Sequence, residues 1–288
     1  MEFVFVSDLF LGNGVLGGGE LNNHELCQIL RRDDHTVTEL NSHLLTEGFL
    51  RTHKKSKFVF GNFLNVPLKL FCKIQDHIEY IIYEHDHKYL KNRNPAKYKD
   101  FVAPRADIVF REFYENAKKV LCQSGMHKNI LVKNLGFDNI ASLGGNLWSE
   151  DVLEYIRDIS KNQKQKKWSI MDSSIPHKNT SEAIRYCRLK EIPYELISSN
   201  DYKDFLKKLS INDTLIFLPK TPETLSRISV EARMLGCKVV TNNLVGASSE
   251  EWFSLKGEQL ISVIEKKRIT IPKIVIESFE NENTSYNQ

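Results

Sequence analysis

The chain has 288 residues, 41% hydrophobic and 27% charged, with a formal net charge of +3. That composition supports a sizeable core in one large or two smaller domains. It excludes collagenous, disulfide-scaffold and wholly disordered classes. Cys27, Cys72, Cys122, Cys187 and Cys237 are scattered without paired spacing, which suits reduced thiols and argues against structural zinc. No apolar stretch approaches the roughly 18 residues of a membrane-spanning helix. The opening Met1-Glu2-Phe3-Val4-Phe5-Val6 reads as a first strand and not as a signal peptide, so a cytoplasmic α/β protein is expected.

Charge is unevenly spread. Residues 1–50 carry 2 basic and 8 acidic side chains, 51–133 carry 17 and 8, and 134–288 carry 21 of each. The basic block, 51–133, points to an anionic surface or ligand on one domain, against the alternative of a lysine-rich solvated face.

In chain order, β-rich runs are expected as strands at 2–6, 58–60, 80–83, 120–123 and 140–143. A second set falls at 168–171, 194–197, 214–218 and 238–241. Amphipathic patterns at 22–32, 126–135, 151–160, 179–190 and 226–235 predict helices between them. Short apolar strands alternating with helices imply parallel sheets covered on both faces. Gly144-Gly145-Asn146 and the polar run 161–167 interrupt the series, so a hinge is expected near 146–167. The expected domains are 1–148 and 149–288, both Rossmann-like, with a polar tail at 281–288 that frays.

Ligands of open parallel sheets bind beyond the carboxyl ends of the strands, and two such domains would share a cleft. Four segments after strands carry the candidate chemistry. Leu16-Gly17-Gly18-Gly19-Glu20 precedes a helix and suits close approach of an anion. It lacks the G-x-G-x-x-G spacing of a nicotinamide site. Tyr83-Glu84-His85-Asp86-His87 ends a strand; a metal site, an acid–base or hydrogen-bonding histidine, and a structural cluster all remain open. Lys178, in Ser173-Ser174-Ile175-Pro176-His177-Lys178-Asn179, sits where a lysine reaches a phosphate as a point charge. Glu223-Thr224-Leu225-Ser226 follows a strand and opens a helix that carries Glu231, before Gly236 ends it and Val239-Val240 begins the next strand.

In order along the chain, these segments resemble the retaining, nucleotide-sugar-dependent glycosyltransferases of the GT-B fold, group-1/family-4 type. Gly17-Gly18-Gly19-Glu20 resembles the family's Gly-Gly loop, His85-Asp86 its His-Asp strand end, and Ala117–Ser124 its A-D-x-V-I-x-x-S segment with Lys118 in place of the acid. Glu223 through Glu231, then Ala232, Gly236 and Val239-Val240, resemble the E-x7-E helix and the following strand. The resemblance implies that Glu231 holds the donor's ribose and Glu223 the sugar hydroxyls. It places the backbone of Thr224 and Leu225, beside Ser226, at the sugar and diphosphate. Lys178 would neutralise the leaving diphosphate, His85 line the sugar pocket, and Gly18 and Gly19 admit phosphates and acceptor. The arginine usual before the lysine is replaced by Asp172-Ser173, so that contact falls to Lys220, Arg227 or another residue, and Ser226 replaces a usual glycine.

The resulting expectation is a GT-B hexosyl- or pentosyltransferase that retains configuration. It would need no metal and no cofactor beyond its nucleotide-sugar co-substrate. The acceptor is expected to be a saccharide or lipid-linked glycan, at the inner membrane face if lipid-linked. The basic and aromatic run from His87 to Lys99 fits an anionic acceptor. Glycosylation of a hydroxymethylated DNA base is one alternative. A non-catalytic nucleotide-sugar binder, motivated by the missing arginine, is another. No protein partner is expected.

Overall fold

A computed structural model describes residues 1–11 and 17–280. Leu16 of the glycine segment and the tail at 281–288 lie outside the described residues. The first half runs β1 (Glu2–Ser7), α1 (Gly18–Arg32), β2 (Thr36–Asn41), α2 (Glu47–Thr52), β3 (Lys57–Phe60), α3 (Phe71–His77), β4 (Tyr80–Glu84), α4 (Arg111–Glu115), β5 (Val120–Cys122), α5 (Gly125–Leu135) and β6 (Ile140–Ser142). The second runs α6 (Glu150–Ile159), β7 (Gln165–Met171), α7 (Thr180–Leu189), β8 (Tyr194–Ile197), α8 (Tyr202–Ile211), β9 (Asn212–Phe217), α9 (Arg227–Met234), β10 (Lys238–Thr241) and α10 (Gly257–Glu277).

Two parallel sheets result, ordered β2-β1-β3-β4-β5-β6 and β10-β9-β7-β8. This is the expected α/β architecture of two Rossmann-like units. The inner strands are continuous apolar runs because both sheet faces are covered. Val4, Val6, Phe58, Phe60, Tyr80 and Ile82 pack into one layer, and Phe3, Phe5, Val59, Ile81 and Tyr83 into the opposite one. No helix among the described residues is long and apolar enough to cross a membrane.

The short helices α2, α3 and α4, the helix α8, and β2 and α10 lie outside the sequence expectation, and the last two have a physical reason. β2 reads Thr-Val-Thr-Glu-Leu-Asn and is an edge strand with no fully buried position, so it lacks the apolar run that marks its neighbours. α10 contains Pro272, ordinarily a helix breaker because it removes an N–H and crowds the preceding turn. The polar run is also divided, since residues 165–167 extend β7.

α10 spans both units. Leu260, Ile261 and Ile264 pack into the second core, whereas Ile271 and Val275, with Phe279 just beyond, pack beside Phe3 and Phe5 under the first sheet. Between them the buried Arg268 bonds Glu25 at 2.5 Å, Glu150 at 3.0 Å and the Trp148 carbonyl. Ile271→Ala should therefore destabilise the protein by about 2–5 kcal/mol. Hydrogen exchange should show the loss in β1 and α1. Ile269→Ala, at a 72% exposed position, should change stability by less than about 0.5 kcal/mol.

Candidate active site in the interdomain cleft

The carboxyl end of β4 faces the segments after β7 and β9 across a cavity of about 650 Å³. His85, Asp86, Arg93 and Lys97 line it from the first sheet. His177, Lys178, Glu223 and Thr224 line it from the second.

The segment after β4 is fixed by buried polar bonds. Glu84 is fully buried and accepts from Lys88 Nζ, Tyr114 Oη and the Asp86 N–H, the last at 2.9 Å. Burial pushes the Glu84 carboxyl up, against the opposing charge of Lys88. For Asp86, burial is outweighed by Lys88 and Arg93, which hold its carboxyl below the usual range; Arg93 Nε lies 2.6 Å from Asp86 Oδ2. Both acids are thus already paired with cations. Among the described residues no three His, Cys, Asp or Glu side chains converge as a metal set would.

The three nearby histidines have different surroundings. His85 stands edge-on to Tyr83, ring centroids 4.7 Å apart, and bonds Asn23 Oδ1 through Nε2 and Gln123 Nε2 through Nδ1. Burial and the Lys88 charge lower its pKa to about 3, so the ring is neutral at physiological pH. His127 Nε2 donates to the Asp86 carbonyl at 2.9 Å. His87 is 2% exposed, neither ring nitrogen has a hydrogen-bond partner, and burial lowers its pKa to about 4.

From the second unit, Lys178 ends a short 3₁₀ turn before Asn179, and its ammonium lies 2.8 and 3.0 Å from the two Glu223 oxygens. The Glu223 backbone is held between the Leu244 carbonyl and the Gly246 N–H, each at 2.8 Å. Thr224 fastens the units together. Its hydroxyl lies 3.0 Å from the His85 carbonyl and 3.1 Å from Gln123 Oε1, and its carbonyl accepts from Ser124 Oγ at 2.6 Å. Gly246 packs so closely that a Cβ there would overlap the Thr224 carbonyl and Ser124 Oγ.

Leu225 is fully buried in the second core, which leaves only its backbone for a ligand. Ser226 caps α9 with φ +75°, a conformation glycine adopts without a Cβ penalty, which accounts for glycine at this place in the resembling family. Its hydroxyl pairs with Ser229 Oγ at 2.9 Å. Glu231 is 3% exposed, and its Oε1 accepts from Trp148 Nε1 at 3.0 Å and Tyr202 Oη at 2.6 Å. Arg227 stacks 4.1 Å over Trp148, donates to the Leu147 carbonyl at 2.7 Å, and lies 3.5 Å from Glu231.

The glycine segment is not a loop before a helix at Asn22. Gly18 and Gly19 form the first turn of α1 itself. A Cβ on Gly18 would come within 2.9 Å of Arg227 Cδ, and one on Gly19 within 3.7 Å of His85. The structure therefore brings His85, Lys178, Glu223 and Thr224 to one cavity, and sets Gly18 against Arg227 and Glu231 in an adjoining wall. Of the substitutes for the missing arginine, Lys220 is exposed and lies off the cavity lining, while Arg227 stands in that wall. Gln123, Asn23, Trp148 and Tyr202 carry no motif; the one sequence signal for Gln123 is its place immediately after a strand.

A buried neutral histidine binds fewer protons than its unfolded counterpart, so its contribution to stability is complete above the unfolded pKa near 6.5 and lost as pH falls below it. His87→Leu should keep stability at pH 7.5. From pH 6.5 toward 4 it should remove up to about 1.4 kcal/mol of destabilisation per pH unit relative to wild type. Urea unfolding across that range checks this; Glu84, whose carboxyl burial raises, works in the opposite sense but is common to both proteins.

No protein-family model matches this sequence, and no curated protein matches it significantly. Solved structures do. Sucrose-phosphate synthase from Thermosynechococcus elongatus aligns over 96% of this chain and 99% of its own, at 10% identity and TM-score 0.61. The catalytic domain of starch synthase IV from Arabidopsis thaliana, bound to ADP and acarbose, aligns over 97% and 92%, at 9% identity and TM-score 0.57. HepE from Anabaena in complex with UDP aligns over 97% and 96%, at 13% identity and TM-score 0.54. The likeness is one of fold, and the fold is the two-domain GT-B arrangement.

Proposed function

We propose that this chain is a glycosyltransferase that moves a sugar from a nucleoside diphosphate to an acceptor, with retention of configuration. The observation that carries the reading is the Lys178–Glu223 pair, held at 2.8 Å across the cleft from a neutral His85 and beside the start of α9. Fold alone would not assign an activity. UDP and ADP in the neighbouring structures agree with a nucleoside diphosphate as the ligand class.

In this reading, residues 149–288 hold the donor and 1–148 the acceptor. As the bond between the anomeric carbon and the diphosphate oxygen breaks, positive charge grows on the sugar and negative charge on the leaving group. Lys178 leaves Glu223 for the diphosphate, and the Thr224 and Leu225 amides with Arg227 add to that field. Glu223, released, accepts from the sugar hydroxyls. Neutral His85, its two ring nitrogens held by Asn23 and Gln123, presents its ring to the sugar without adding charge next to a developing cation. Glu231 positions Arg227 and the ribose wall through Trp148 and Tyr202. Closure over the cavity excludes water and limits hydrolysis of the donor.

A lipid-linked glycan is the acceptor the surface favours. Leu44, Leu9, Leu68 and Val102 follow the neighbouring strands β2, β1, β3 and β4 and are 55%, 36%, 77% and 46% exposed. Lys69, Lys91, Lys97, Lys99 and Arg105 stand exposed on the same loops. Apolar tips among cations suit an anionic amphiphile at an anionic bilayer, which supports action at the inner membrane face. DNA with hydroxymethylated bases would use the cations but not the apolar tips.

Thermal unfolding with UDP-, GDP-, ADP- and TDP-sugars tests the donor site. At about 100-fold over Kd a true donor adds roughly 2.7 kcal/mol. One nucleotide class should stabilise the wild type and fail with Lys178→Met and Glu223→Ala. Transfer of label to lipid-linked acceptors, and not to hydroxymethylated DNA, should follow. No shift with any donor at millimolar concentration rejects the reading.

A further inference from the structure

We propose that Gln123 is a positioning residue that couples domain closure to the tautomer and orientation of the His85 ring. The proposal rests on the transfer reading only for its catalytic consequence. The bonds on which it stands are visible without it.

Gln123 follows β5, is 4% exposed, and has its main chain fixed: its carbonyl accepts from the Gly145 N–H at 2.8 Å, and its N–H points to His127 Nδ1 at 3.4 Å. The two ends of its amide then serve different domains. Oε1 accepts from the Thr224 hydroxyl at 3.1 Å, and Nε2 donates to His85 Nδ1. Thr224 lies in the second unit and makes no hydrogen bond to the His85 ring; its other neighbour is the His85 carbonyl, at 3.0 Å.

An amide has one acceptor end and one donor end. The single Thr224 hydroxyl proton is shared between the His85 carbonyl and Gln123 Oε1; with Oε1 on that side, Gln123 offers an N–H to the ring. In that orientation Nδ1 is the acceptor and the ring proton sits on Nε2, where it meets Asn23 Oδ1. The bonds thus run in one direction, from Thr224 through Gln123 to His85 and Asn23. Opening of the domains removes Thr224 and with it the reason for the amide to keep this orientation. His85 is correctly set only when the cleft is closed, so the sugar pocket is completed by closure itself.

Nitrogen-15 NMR of the His85 imidazole tests this directly, with or without turnover. Wild type in the closed state should show one tautomer, protonated at Nε2. Gln123→Leu and Thr224→Val should each give a mixture of tautomers, although valine has nearly the shape of threonine. In the transfer assay both should lower kcat by about 10- to 100-fold with donor KM little changed, as expected for a misplaced reacting group. Gln123→Glu should place a carboxylate at Nδ1 and produce an imidazolium signal near neutral pH, against the fields of Lys88 and Arg227 and with that of Asp86. Activity of that variant should then rise on the alkaline side as the ring loses its proton.

An unchanged His85 spectrum in Thr224→Val overturns the coupling. An unchanged spectrum in Gln123→Leu overturns the positioning role, and if that variant does not fold, Thr224→Val and Gln123→Glu decide. Failure of every donor to stabilise the wild type would sink the transfer reading while leaving the spectra to stand or fall separately.

Discussion

The geometry of the cleft depends on one close approach of backbone. Thr224 meets the first domain at Ser124 and His85 while Gly246 supports it from behind with no room for a Cβ. Moving this contact would move Glu223, the partner of Lys178, together with the start of α9, because both hang from the same segment. The bonds across it are few, and a typical hydrogen bond contributes only about 0.5–1.5 kcal/mol net. Closure is therefore held firmly enough to be specific and weakly enough for a ligand to bias it.

Charge around the cleft is arranged in pairs. Glu84 is matched by Lys88, Asp86 by Arg93, Glu231 by Arg227 and Glu223 by Lys178. Glu84 and Lys88 are committed to holding the segment after β4, where breaking the pair would leave a buried charge uncompensated, whereas Asp86 and Arg93 are partly exposed at the cavity edge. Lys178 and Glu223 differ from Glu84 and Lys88: both are less than a quarter exposed but line the open cavity, so a ligand with an anionic end and hydroxyls can replace each partner for the other. His85 stays neutral within this field because its ring sits among amides and backbone, with Lys88 nearby opposing a second proton.

Much of the fold is legible in the sequence. Runs such as Phe3-Val4-Phe5-Val6 have to be central strands, since only a sheet covered on both faces tolerates consecutive apolar residues. β2 escaped because an edge strand needs no such run, and α10 because Pro272 looks like a stop until its two halves are seen to pack on different cores. At the site, Glu223, Lys178 and His85 can be located from strand ends. Gln123, Asn23 and Trp148 cannot, because their significance comes from partners 38 to 101 positions away, across a sheet or a domain boundary. Ser226 is intermediate, its departure from glycine being readable but its φ of +75° only measurable in the fold.

The path of α10 also bears on the order in which the molecule can be assembled. Synthesis delivers β1 before the second unit, yet Phe3 and Phe5 are covered in part by Ile271, Val275 and Phe279, residues made after that unit's strands. Domains ordinarily fold as they emerge. Here α1 covers part of that face through Leu26, Cys27, Ile29 and Leu30, but the part that α10 covers stays open until the second domain has been made. The two units share a fold plan but not an independent birth.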